Sequence, residues 1–295
     1  MKNKSNYTNK KRYFEGWYFK HQSEDFSIAF IPGININKNG YKYAFIQIIT
    51  ESESYNIDYD FNDFSISKDK QTIKIKDSIF SLKGSIINIK NKDINIRGKL
   101  TYKNITSTKG DVMGPFAYFP FMECFHGVLS LNHKVEGSLF INNEELRFKD
   151  GIGYIEKDSG RSFPNKYLWL QSNYFSMKDT SIMVSIADIP FLGFNFIGCI
   201  AVIYYEGKEY RLATYNGVKV ISYNEKGLKI KKGPYRLEVE IEELYPQNLL
   251  APNAGEMIRT IKENIACNTR FRFFKGDNLI FNLDSNKTSF EYVIN

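Results

Sequence analysis

Alternation dominates this chain. The runs "TIKIK" (72–76), "SIINIK" (85–90) and "DINIRGKL" (93–100) place isoleucine at every second position, with polar residues between. A period of two gives one buried face and one wet face, as in an antiparallel sheet. Comparable runs recur along the chain, separated by turn signals such as "NKNG" (37–40), "EGK" (206–208) and "KKGP" (231–234). Only "NAGEMIRTIKENI" (253–265) reads as helical, with Met257, Ile258, Ile261 and Ile265 on one side. The pattern predicts an all-β protein with one short helix near the C-terminus. Many short antiparallel strands favour barrels or sandwiches.

A weak repeat suggests how the strands are divided. Residues 27–32 read "SIAFIP" and residues 185–190 read "SIADIP", and each follows a strand-like segment holding one of the two tryptophans, Trp17 and Trp169. The spacing suits an internal duplication into two similar antiparallel barrels. The expected division is a basic tail over 1–12, one barrel over 13–133 and a second over 134–295.

Composition sharpens this picture in three places. The chain has 24 Phe and 20 Tyr among 295 residues, rings that fill cores and also line apolar ligand cavities. Five basic residues in the first twelve account for most of the net charge of +7. A mobile, solvated tail is the expected reading, with no role in binding nucleic acid. The three cysteines, Cys124, Cys199 and Cys267, are odd in number and widely spaced, which points to free thiols in a reducing cytosol. The longest apolar run, "FLGFNFIGCIAVIYY" (191–205), is too short to span a bilayer as a helix.

Familiar catalytic templates are absent: there is no GxGxxG, Walker loop, HExxH or GxSxG. With only three histidines, a His-based metal site is not expected. Cys124 and His126 share a strand face, but a nucleophilic dyad there lacks an orienting partner. What remains is carboxylates beside aromatic rings. Alternation puts Tyr13, Glu15, Trp17 and Phe19 on one face, and Tyr167, Trp169, Gln171 and Asn173 on another. Glu156 and Asp158 share a face opposite Lys157, with Arg161 in reach of either acid, and "GPFAYFPFMECF" (114–125) surrounds Glu123 with rings. Each of these also fits a plain structural role: strand-end hydrogen bonds, a surface ion pair, a core wall.

These same segments carry a family resemblance. "YFEGWYFK" (13–20), "FPFMECFHG" (119–127) and above all "YIEKDSGRSFPNKYLWLQSN" (154–173) resemble signatures of the tocopherol cyclase family, with weaker matches at "ATYNGV" (213–218) and "LLAPNAG" (249–255). The family commonly has Trp after the acidic pair, where this chain has Ser159. The resemblance implies two tandem lipocalin-like β-barrels, as in related carotenoid hydratase-type proteins. It also implies a hydrophobic prenyl-lipid or quinol-type substrate, with no metal or redox cofactor.

Adding oxygen across a prenyl double bond requires a carboxylic acid that stays protonated near neutral pH, which burial among rings favours. Asp158 or Glu123 is the expected donor, with Glu15 third. Trp17, Trp169 and Phe119 are expected to line the cavity. Arg161, Gln171 and Asn173 would orient a polar head, and His126 joins the substrate-binding set. Barrels also hold hydrophobic ligands without chemistry. A non-catalytic carrier of a lipid, quinone or pigment is therefore the competing expectation, and peripheral membrane contact goes with either.

Overall fold

The computed structural model describes residues 7, 9–120, 122–191, 194–242 and 244–294. Its strands fall into two antiparallel sheets, and the chain divides into two compact units. The first comprises residues 1–107, 123–163 and 249–260, and the second residues 108–122, 164–248 and 261–295. Both are lipocalin-like barrels.

In the first sheet, β1 (Tyr13–Gln22), β2 (Ser27–Ile36), β3 (Lys42–Thr50) and β4 (Ser54–Asp60) form one meander. The short strands β5 (Phe64–Ile66), β6 (Thr72–Ile75), β7 (Ser78–Ser81) and β8 (Gly84–Lys90) lead to β9 (Asn95–Thr106). The long strands β10 (Cys124–Ile141) and β11 (Glu144–Gly160) complete it, giving the order β4-β3-β2-β1-β11-β10-β9-β8-β7-β6-β5. The expected boundary between residues 133 and 134 therefore falls inside β10, because β10 and β11 pair along nearly their whole length. The alternating isoleucines point inward, and Ile73, Ile75, Ile87, Ile89, Ile94 and Ile96 join Trp17, Phe19, Phe30 and Phe80 in one apolar cluster. Each such side chain contributes about 1.5–3 kcal/mol by leaving water.

The second sheet repeats this topology. It runs β15 (Lys208–Ala213), β14 (Phe194–Tyr205), β13 (Ser181–Phe191), β12 (Tyr167–Ser172), β21 (Asn278–Val293), β20 (Glu256–Lys275), β18 (Tyr235–Ile241), β17 (Gly227–Lys232) and β16 (Lys219–Asn224), with β19 (Gln247–Asn253) against β20. The two hexamers lie in β2 and β13, but the tryptophans are not equivalent. Trp17 belongs to the packed interior of its barrel, whereas Leu168 and Leu170, not Trp169, take the inward positions in β12.

The expected helix is not observed. Residues 253–265 contain no helix; they lie in β19, a turn and β20. Met257, Ile261 and Ile265 recur at four-residue intervals, which satisfy period two as well as a helical face. Ile258, which a helix would have buried with them, is exposed. Of the expected tail, residues 1–6 and 8 lie outside the described residues. Tyr7 is buried against Phe61 and Phe64, and Lys10 sits over the Tyr13 ring.

Two histidines inside the first barrel make it acid-sensitive. His21 and His133 both stand opposite Gly153, and the His133 ring occupies the space where a Cβ at Gly153 would lie. His21 Nε2 meets Tyr102 Oη at 2.5 Å, and His133 Nδ1 meets Ser130 Oγ at 2.9 Å. Burial pushes His21 from its ordinary 6.5 down to about 3, and His133 well below its usual range. The unfolded chain therefore binds more protons than the folded one below about pH 6.5, and stability falls as pH drops through that window. Urea midpoints between pH 7 and pH 4 should record a loss of up to about 1.4 kcal/mol per pH unit for each ring. The His21→Phe variant should show a shallower slope; an unchanged slope contradicts this.

Candidate functional site

The wall formed by β1, β11 and β10 has two polar faces, separated by the pleat. On β11, Ile155, Lys157 and Ser159 alternate with Tyr154, Glu156 and Asp158. Ile155 belongs to the packed interior, so Tyr154, Glu156 and Asp158 project from the opposite face. The register places Tyr18 beside Glu156 and Gly16 beside Asp158 on β1, and Val128 and His126 beside the same two acids on β10.

A three-residue cluster results. His126 Nδ1 lies 2.8 Å from Asp158 Oδ1, and His126 Nε2 lies 3.8 Å from Glu156 Oε2. The Tyr154 hydroxyl donates to Glu156 Oε2 at 2.6 Å. Burial and then the neighbouring Glu156 charge push the Tyr154 phenol far above its usual range, so it stays a donor. An imidazolium at His126 would have a carboxylate for each N–H. Glu156 and Asp158 side chains keep only 6% and 19% of their exposure, and Gly16 leaves the space beside Asp158 without a side chain. One ligand atom from each of His126, Glu156 and Asp158 falls within 4.8 Å of the others, so this set could also hold a cation. Burial and the same two acids push the Cys124 thiol well up, so a Cys124–His126 nucleophile is not formed here.

The inward face carries a different arrangement. Glu15 is buried, ion-paired with Lys157, and accepts from Tyr7 Oη at 2.6 Å and Tyr13 Oη at 3.2 Å. Burial alone would raise its carboxyl. The Lys157 charge and hydrogen bonds from Lys157 and Tyr7 outweigh that, and hold it below the usual carboxylate range. Glu15 is thus a fixed carboxylate, the opposite of the neutral donor expected of it. Trp17 lies on the same face with Lys157 Nζ 5.0 Å from its ring centre, and among the described residues its Nε1 has no partner. Ser159 also belongs here and hydrogen-bonds Tyr13, so this departure from the family pattern bears on the barrel interior and not on the His126 face.

The remaining expected residues scatter. Glu123 is exposed, and its carbonyl accepts from the backbone of Arg161 and Ser162 at 2.7 and 3.4 Å. The ring-enclosed position expected for Glu123 is thus not observed. Arg161 is exposed, its carbonyl accepting from Gly255 N at 2.6 Å. Phe119, in the second unit, is partly exposed beside Phe116. Trp169 and Gln171 are buried in that unit, on the face of β12 away from its apolar core, and Asn173, just past the end of β12, is buried too. There Trp169 stands opposite Glu291, Tyr167 Oη donates to Glu291 Oε2 at 2.5 Å, and Glu263 stands opposite Glu291. Tyr154, Glu263 and Glu291 were missed by sequence reasoning. An acid flanked by aromatic residues inside a strand-like run, as in "SFEYV", is the signal that could have found Glu291.

Tandem lipocalin-like barrels are the fold class of this chain, and solved structures share it. The kievitone hydratase of Nectria haematococca superposes with a TM-score of 0.57 at 14% identity, covering 95% of this chain and 88% of that one. A putative AttH from Nitrosomonas europaea does so at 0.55 and 11%, covering 95% and 93%. At such identities the likeness shows the fold. The chain belongs to the tocopherol cyclase-like family, whose model matches residues 74–292. A probable chloroplastic tocopherol cyclase of Oryza sativa subsp. japonica is 30% identical over 127 residues, 39% of this chain. The match spans only 25% of that relative's length.

The Glu15–Lys157 pair yields a stability test. Lys157→Met should cost about 3–5 kcal/mol, because it strands a buried carboxylate. Adding Glu15→Gln should restore most of that loss in urea denaturation. Because the folded carboxyl is held below its ordinary 4.5, the pair's contribution is present above that pH and is lost as pH falls below it. A Lys157→Met variant as stable as the parent would contradict the assignment.

Proposed function

We propose that the protein catalyses acid-assisted addition of an O–H group, from a phenol or from water, across the double bond of a hydrophobic prenyl-lipid or quinol-type substrate, by cyclisation or hydration, without a redox cofactor. The observation that carries this reading is His126 set between Asp158 and Glu156, with Tyr154 bound to Glu156. The reaction moves two protons in opposite senses. One is delivered to an alkene carbon, leaving a tertiary cation; the other leaves the oxygen that attacks it. Asp158 and His126 together hold the first proton, and Glu156 accepts the second, from the substrate phenol in cyclisation or from water in hydration. Proton transfer by a positioned side chain is worth about 10²–10⁴-fold. The rings of Tyr18 and Tyr154, on the same face, offer the cation about 0.5–2 kcal/mol each.

Family membership supports the substrate class, and the pairing of an imidazole with two carboxylates supports the acid–base roles. A carrier would hold its ligand inside a barrel, yet the inward side chains of both barrels form contiguous apolar clusters. The partner proposed is a small hydrophobic molecule, not a nucleic acid.

Asp158→Asn should lower turnover of a prenylated hydroquinone at least about a hundredfold while leaving its binding within about twofold. His126→Gln should do the same. Full turnover in Asp158→Asn removes Asp158 from the mechanism. A single unchanged lipid co-purifying with the parent protein, with no turnover, would favour the carrier.

A further inference from the structure

The hairpin of β13 and β14 outruns its neighbours. The ladder of β12 with β13 ends at Ala187, with one more bond from Asp188 N to Lys166 O at 2.9 Å, and that of β15 with β14 begins at Ile200. Between those limits β13 and β14 stay paired with each other, from Asp188 opposite Ile197 to Phe191 opposite Phe194. The result is a two-stranded ribbon extending past the sheet. Its polar side chains pair with each other, Asn195 Nδ2 donating to Asp188 Oδ2 at 3.1 Å. Its apolar ones meet water: Phe194 and Ile197 are 57% and 43% exposed.

A second segment extends this patch. Phe116 stacks on Phe196 with ring centres 6.0 Å apart and packs against Phe119, while the neighbouring Tyr118 is 87% exposed. The segment is pinned from behind. Arg211 Nη1 donates to Asp111 O at 3.0 Å and Tyr215 Oη to Val112 O at 3.2 Å. The aromatic patch is therefore presented on a fixed base. Grouped exposed apolar and aromatic side chains, with the polar-tipped Tyr118 among them, suit the boundary between headgroups and acyl chains.

Charge selects among the things that could cover it. A few residues after Tyr215 the chain enters β16 at Lys219, which stands opposite Lys231, itself opposite Arg236 on β18. Lys219 and Lys231 are both exposed, while Arg236 is ion-paired with Glu238 at 3.0 Å; the two lysines attract anionic headgroups and repel the same pair on a second copy.

We propose that the β13–β14 ribbon, with Phe116 and Tyr118, docks the protein on bilayers containing anionic lipid. The surface deepens the proposed function by giving access to a bilayer-dissolved substrate. The two readings fail separately, because turnover of detergent-dispersed substrate does not need docking.

The test is flotation of the full chain with vesicles of equal parts phosphatidylcholine and phosphatidylglycerol. The parent protein should float, and less so at high salt. The double variant Phe194→Ser, Ile197→Ser, whose side chains are exposed and need not affect folding, should bind about tenfold less or weaker still. Its turnover in detergent should stay at the parent level. Failure of the parent to float, or equal flotation of the variant, overturns the proposal. So does a parent dimer in sedimentation that the same variant dissolves, which would assign the patch to a second copy.

Discussion

The antiparallel register between β1 and β11 is the constraint on which the site depends. Side chains on a strand alternate strictly, so a slip of one residue would exchange the two faces of the wall. Lys157 would then leave Glu15, and Glu156 and Asp158 would enter the barrel interior without their present partners. The observed register does the reverse: it neutralises Glu15 with Lys157 inside and gathers Asp158, Glu156 and Tyr154 with His126 outside. Two charged groups in the packed interior are tolerable because each meets the other. The acids on the opposite face meet an imidazole, which can take or give a proton, and a phenol, which stays a hydrogen-bond donor.

This division separates stability from chemistry. The barrel interior is a cluster of isoleucine and aromatic side chains, with Tyr7 and the Glu15–Lys157 pair among them. The face turned away from it carries His126, Glu156 and Asp158 instead of apolar side chains. The second unit keeps the same separation, with Leu168 and Leu170 in the core and Tyr167, Trp169, Gln171 and Glu291 on the other face.

Much of the fold was legible because alternation is local: the isoleucine runs of residues 72–100 became β6 to β9. Parity also grouped Glu15 with Trp17, and Glu156 with Asp158. It could not say which face is interior, since nearly every residue of β1 is buried. Nor could it find partners set by pairing between distant segments. His126 meets Asp158 across 32 residues and Gln47 meets Leu250 across 203. The misread helix shows the same limit from the other side. A four-residue apolar spacing fits both periods, and only the long pairing of β20 with β21 and β18 decides for strand.

The most direct test of the account is a crystal structure with a prenylated hydroquinone, or its ring-closed product, bound. The ligand oxygen should lie within hydrogen-bond reach of Glu156 or Asp158, with the prenyl carbons beside His126. A ligand found instead inside the first barrel, against Trp17 and Glu15, would contradict it.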